Sequence, residues 1–331
     1  MSEVTKKYLD IKTTKIREFR LPYWEIDSGK PGPCFLVNAE QHGIEVMGCE
    51  VIRRFCPVAA KKIRRGKFYL LPFSNPPALW NRRHHIYSGP GESKGMGHDN
   101  MNKGWPGNPE GHEIEQMIFI IHQSLAREAT HNIDMHCWSR FNVAEAGPGD
   151  NGETVSFALA SALPLVDIRK GGYDDLPGSI TKIFARTGRP SFYVEFSGQY
   201  TLSEKQVNLG VRMLENCSKH IGVFEGEPEG TEESLITRDG LPGPVTVTAG
   251  MNGLFVENGW EPGDYVNEGD LLGTLFSDST LETEEIKAPL GGLLSAYGCH
   301  RRLSDVDLAA MHPYADKGDT VAKIIAGKEK K

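Results

Sequence analysis

His42 and Glu45 stand three residues apart in the run Asn38-Ala39-Glu40-Gln41-His42-Gly43-Ile44-Glu45, between the apolar stretch Phe35-Leu36-Val37 and an amphipathic pattern that begins at Val46. An imidazole and a carboxylate so spaced, presented where a buried strand hands over to a helix, can close on one divalent cation from the same side. Zinc takes such donors at about 2.0–2.2 Å, and a hydrolytic site uses three protein ligands and leaves the fourth position to water. The third ligand is expected at His136, at the end of Asn132-Ile133-Asp134-Met135-His136. Asp134 lies two residues earlier, on the same face of a strand, within reach to orient an imidazole. A lone histidine at a strand end is commonly a core residue, and it is the two other ligand types at the same sheet edge that favour a metal.

Glu195 interrupts the apolar run Phe192-Tyr193-Val194-Glu195-Phe196. A buried carboxylate is costly unless it is paired, hydrogen-bonded or used. Beside a metal-activated water it can take the water's proton and pass it to a leaving group, whereas the structural alternative is a Glu salt-bridged within the fold. Cys137, next to His136, offers a thiol nucleophile as a rival, although a free Cys is usually a small buried apolar residue. The remaining histidines, His84 and His85 among them, read as surface or packing residues.

The elements that must position these groups follow in βαβ order. A strand at 35–37, a helix from Val46 to Phe55 ended by Pro57, and a second strand over Lys67–Phe73 imply a mainly parallel sheet. Residues 75–109 lack periodicity and form a long loop, with Trp105 suggesting that it is ordered over something. Helices are expected at Glu113–Thr130, Val155–Ala162, Ser179–Thr187 and Glu204–Ile221, and strands at 132–136 and 190–198. In open α/β sheets ligands collect beyond the carboxyl ends of the strands. From Phe224 the chain turns acidic and rich in Gly and Pro, then becomes all-β with turns such as Asn252-Gly253 and Glu268-Gly269-Asp270. Two parts are expected, 1–225 for a catalytic domain and 226–331 for a linker and β-module. The strands around 266–273 and 286–292 resemble a biotinyl/lipoyl-like barrel-sandwich without a modifiable Lys in a Met-Lys-Met turn.

The 331 residues carry a net charge of −7 spread along the chain, which argues against nucleic acid or an anionic membrane as the main partner. No apolar run approaches the roughly 20 residues that span a bilayer, and the first residues hold no signal-peptide pattern. Six cysteines without a Cys-x-x-Cys pair fit a reduced, cytoplasmic protein.

His42-Gly43-Ile44-Glu45, Asn102-Lys103-Gly104-Trp105-Pro106-Gly107, Asp134-Met135-His136 and Val194-Glu195, in that order and followed by a β-module, resemble the succinylglutamate desuccinylase/aspartoacylase family, the amidohydrolase branch of the zinc carboxypeptidase-like fold. The resemblance implies an α/β fold with a mixed, mainly parallel sheet and flanking helices. It implies one zinc per chain on His42, Glu45 and His136, with Glu195 as general base. The family pattern has Asn-Arg before the Pro-Gly turn to clamp a substrate carboxylate. Asn102 and Lys103 match it, and a Lys keeps the charge without the bidentate fork of Arg. An Arg after the Asn-Pro turn, matched by Arg83 with Arg82 as the alternative, is implied to stabilise the oxyanion. Arg140 joins Arg82, Asn102 and Lys103 as a candidate substrate-binding residue. The expected activity is zinc-dependent hydrolysis of the amide in a small N-acylated amino acid or related amine, in a cytoplasmic protein that can form a homo-oligomer. A peptide carboxypeptidase and an inactive metal- or carboxylate-binding protein are the alternatives.

Overall fold

The computed structural model describes residues 2–87, 99–171, 173, 178–299 and 312–327. A nine-stranded sheet forms the larger part. In chain order its strands are β1 (Val4–Ile11), β2 (Phe19–Asp27), β3 (Cys34–Ala39), β4 (Lys67–Leu71), β5 (His131–Trp138), β6 (Glu145–Pro148), β7 (Leu165–Ile168), β8 (Ser191–Ser197) and β9 (Leu235–Arg238). They lie side by side as β1-β2-β4-β3-β5-β8-β6-β7-β9. The central strands β4, β3, β5 and β8 run parallel, while β1, β2 and β6 bring in antiparallel pairings, so the sheet is mixed and mainly parallel.

Helices cover both faces, as buried parallel strands require. Phe35, Val37, Ile133 and Met135 pack on one face with Met47, Val51 and Phe55 of α1 (Met47–Lys62) and Met213 and Leu214 of the helix Glu204–His220. Leu36, Tyr69 and Leu71 meet the other layer, which includes Met117 and Ile118 of the helix Glu113–Ile121. On β5 the apolar residues Ile133, Met135 and Cys137 point to the first layer. Strand alternation therefore turns Asn132, Asp134 and His136 to the second.

Helix α1 runs through Pro57, where the sequence pattern predicts an end. Pro57 is exposed while Ala59 and Ala60 continue the buried stripe, so the carbonyl that loses its partner lies on the solvent side and the apolar face holds the helix together. The long loop also begins with structure, the short helix α2 (Pro76–Asn81). Its start is set by the Asn75 side chain accepting from the Ala78 amide and by prolines in the first turn. Residues 88–98 of that loop lie outside the described residues.

Beyond 238 the chain forms two four-stranded antiparallel sheets, from strands between Val245–Thr248 and Thr320–Ala326. Phe255, Leu275, Leu294 and Ile324 lie between them. This all-β unit docks on the loop after β5: the Val143 amide donates to the Ser295 carbonyl and the Tyr297 amide to that of Phe141. Val143 and Leu165 pack on Leu293 and Ile325. With the boundary drawn between 225 and 226, the second part lends β9 back to the large sheet, parallel to β7. Among the described residues no helix is long and apolar enough to cross a membrane.

Candidate metal centre

At the carboxyl end of β3 the chain must turn sharply, and Glu40 does so in the left-handed region at φ 61°, a strained conformation for a side chain with a Cβ. The next residues form a tight loop that α2 supports from below. A Cβ on Gly43 would lie 2.2 Å from the Ala78 carbonyl carbon, so only glycine lets the loop lie on that helix. The Gly43 amide donates to the His84 carbonyl. Loop and α2 together thus fix His42, Glu45 and the segment after α2.

His42, Glu45 and His136 converge, each buried, with one donor atom apiece within 4.8 Å of the others. Glu45 stands between the imidazoles: Oε1 is 3.0 Å from His42 Nδ1 and Oε2 is 2.8 Å from His136 Nδ1. Burial alone raises the Glu45 carboxyl, but the two imidazoles outweigh it and hold it well below the carboxylate range. Burial lowers His42. It acts the same way on His136, where Asp134 and Glu45 overcome it and raise the imidazole. Two nitrogens and a carboxylate meeting at one buried point form the donor set a zinc ion takes, so these side chains fit the metal.

The outer nitrogens are held as well. His136 Nε2 lies 2.9 Å from Asp134 Oδ2, and His42 Nε2 lies 3.1 Å from Asn100 Oδ1. Asp134 ends a buried polar ladder along the sheet. Ser191 donates to Asn132 (2.9 Å), Asn132 to Asn38 (2.7 Å), and Asn38 to Asp134 Oδ1 (2.7 Å). Gln41 donates to Asp134 Oδ2 (2.6 Å) and accepts from the indole of Trp105 (2.8 Å). Trp105, expected to mark an ordered part of the loop, is therefore tied to the centre through Gln41.

Glu195 is opposite His136 in the parallel register of β5 and β8, and opposite Glu145 across β6. It is half-buried. Burial pushes its carboxyl well above the usual range; His136 opposes the shift, and Glu45 and Glu145 add to it. Glu145, buried beside Arg169, is itself raised to about 7, chiefly by burial. Cys137 is buried on the opposite face of β5, and burial pushes its thiol well above the ordinary range, which leaves it without thiolate character.

The other sequence-derived candidates are more dispersed. Arg82 is exposed at the end of α2, its guanidinium donating to the Trp80 carbonyl at 3.2 Å. Arg83 follows it, half-buried. Asn102 and Lys103 form a 3-10 turn with Met101; the Lys103 residue is exposed, and the Asn102 Oδ1 is buried with no partner among the described residues. The residue of this turn region that reaches His42 is Asn100. Arg140 lies in a cleft of about 440 Å³ between the large sheet and the β-unit, stacked on Phe141 and 3.9 Å from Glu257. His84 and His85, expected in surface or packing positions, stand against His42, their rings 4.0 and 5.2 Å from its ring.

Residues 31–221 match the succinylglutamate desuccinylase/aspartoacylase catalytic domain. The N-alpha-acetyl-L-2,4-diaminobutyric acid deacetylase of Halomonas elongata is 22% identical over 279 residues, covering 80% of this chain and 77% of that protein. Two solved structures share the fold. The ectoine utilization protein EutE (DoeB) of Ruegeria pomeroyi, with product bound, has a TM-score of 0.66 at 20% identity over 98% of this chain and 95% of its own. A metallo-carboxypeptidase from Burkholderia cenocepacia has 0.52 at 16% identity over 65% of this chain and 64% of its own.

Proposed function

The chain belongs to the succinylglutamate desuccinylase/aspartoacylase family, and from that premise we propose that it is a zinc-dependent hydrolase cleaving the amide of a small N-acylated amino acid or related amine. The observation that carries this reading is the convergence of His42, Glu45 and His136 beside Glu195.

His42, Glu45 and His136 are the residues that would hold one zinc ion per chain, and such an ion supplies Lewis acidity to a water molecule and to the amide carbonyl. Asp134 and Asn100 hold the outer nitrogens of the two imidazoles, which leaves Nδ1 of each to face inward. Glu195 takes a proton from the attacking water onto a carboxylate oxygen and returns it to the departing amine, a role that suits a carboxyl whose proton affinity burial has raised. Arg83 opposes the negative charge that develops on the carbonyl oxygen. Asn102 and Lys103 bind the part of the substrate beyond the amide, and Arg82 and Arg140 are further candidates for that role. A Lys in place of a bidentate Arg suits an amine substrate with one carboxylate, and the relative that deacetylates N-alpha-acetyl-L-2,4-diaminobutyric acid supports such a substrate. The six cysteines, all buried and none in a disulfide, suit a reducing compartment, and we place the protein in the cytoplasm.

The test is a panel of N-acetyl, N-succinyl and N-formyl amines on aspartate, glutamate and diamine scaffolds. Chelation should abolish turnover and zinc should restore it. Glu195→Gln should keep one zinc per chain and lose activity. Turnover that survives metal removal would defeat the reading, and faster cleavage of a tetrapeptide than of its N-acyl counterpart would favour a peptidase.

A further inference from the structure

His42, His84 and His85 lie as close together as many metal-binding trios, yet they do not form a second cation site. An imidazole ligates through a lone pair in the plane of its ring. The rings of His42 and His84 are stacked at 4.0 Å with only 17° between their planes, so both cannot aim at one ion. The rings of His42 and His136, tilted by 44°, have no such conflict.

The edge of His84 carries the information. Its Nε2 lies 3.3 Å from Glu45 Oε1, the oxygen that also faces His42 Nδ1. Its Nδ1 lies 3.0 Å from His85 Nε2. One hydrogen is shared between the two imidazoles, and its position fixes the rest, because the hydrogen bond made at one ring nitrogen decides the tautomer at the other. If a neutral His84 donated to His85, its Nε2 would turn a lone pair toward a carboxylate. If His85 donates to His84, the Nε2 of His84 carries a hydrogen toward Glu45, and both contacts are attractive. In this arrangement His85, 2% exposed, is the donor that keeps an N–H of His84 pointing into the centre. With a cation held by Glu45, that N–H would be left to face what binds beside it.

We propose that His84 is a further catalytic residue of the hydrolysis proposed above, donating from Nε2 to the substrate's carbonyl oxygen as it becomes anionic, and that His85 is the positioning residue that fixes its tautomer. The inference rests on that functional reading. It assigns to the loop after α2 a neutral-capable donor in addition to the cationic Arg83, and makes this segment part of the site.

Three measurements test it on the full chain. In zinc-free protein labelled with ¹⁵N-histidine, long-range NMR correlations should show the hydrogen of His84 on Nε2, and His85→Ala should disturb that preference; a hydrogen on Nδ1 overturns the proposal. His84→Ala and His84→Gln should each keep one zinc per chain and lose about 10²–10³ in kcat with little change in KM, the usual effect of removing one oxyanion donor. Loss of zinc from both variants, or an unchanged kcat, overturns the assignment. Calorimetry with methylphosphonate, a tetrahedral anion, should show binding to the zinc-loaded protein weakened by about tenfold in His84→Ala while planar acetate is unaffected; equal losses for both anions overturn it. Should the wild-type protein hydrolyse no amide in the panel, the functional reading fails, and the tautomer and the methylphosphonate contrast still decide how His84 is oriented.

Discussion

Replacing Asp134 by Asn tests the orienting network at its most connected point. The Asp134 carboxylate is 1% exposed and has three polar neighbours: Asn38 at 2.7 Å, Gln41 at 2.6 Å and the His136 Nε2 at 2.9 Å. All three present hydrogens when His136 keeps Nδ1 for a metal. An amide in the same place has one accepting oxygen and two hydrogens of its own, so at least one neighbour faces a donor instead of an acceptor. If the loss falls on His136, zinc affinity should drop about 10- to 100-fold, equivalent to about 1.4–2.8 kcal/mol. The zinc-free protein should also lose about 1–3 kcal/mol of stability, the cost of a buried donor left unsatisfied. Competition for zinc against a chromogenic chelator gives the first quantity, and urea unfolding of the metal-free protein the second. Zinc affinity within about twofold of the wild type, in a variant that has lost stability, would refute the claim that Asp134 orients a ligand.

Stability should depend on pH through His131, whose imidazole is lowered to about 4 by burial, with a smaller contribution from His220. The unfolded chain binds a proton near pH 6.5 and the folded chain only near 4, so stability is full above about 6.5 and falls by up to about 3 kcal/mol as pH drops to 4. Urea titrations at several pH values should show this slope flattened in His131→Gln. Gly43→Ala should cost at least about 2 kcal/mol, because the new methyl meets the Ala78 and Leu79 backbone, which cannot swing aside as a side chain does; a melting temperature equal to the wild type would show that loop and helix are less tightly apposed.

The order of strands and helices around the site was readable because the patterns are strong. Phe35-Leu36-Val37 and Ile133-Asp134-Met135 carry the continuous or alternating apolar character of buried strands, and both strands lie in the centre of the sheet. Asp134 and His136 share a strand face because side chains alternate, and their 2.9 Å contact follows from that spacing. Pro57 misled because a helix tolerates proline when the carbonyl it orphans faces water. Residues 75–109 read as a loop, yet Pro76 and Pro77 begin a helix, since Asn75 caps it. Asn100, Gln41, His84 and His85 were not legible for a different reason. Their place depends on how the loop after α2 folds back over the β3 turn, a tertiary contact between segments with no periodic pattern. Trp105 was a local sign of it, and Gly43 is where the two chain segments meet.

The convergence of three ligands on one ion is examined most directly by anomalous diffraction at the zinc edge, from crystals of the protein carrying one equivalent of zinc. A single peak is expected with His42 Nδ1, His136 Nδ1 and a Glu45 carboxylate oxygen at about 2.0–2.2 Å. A peak centred on His84 and His85, or none near these three side chains, would contradict it.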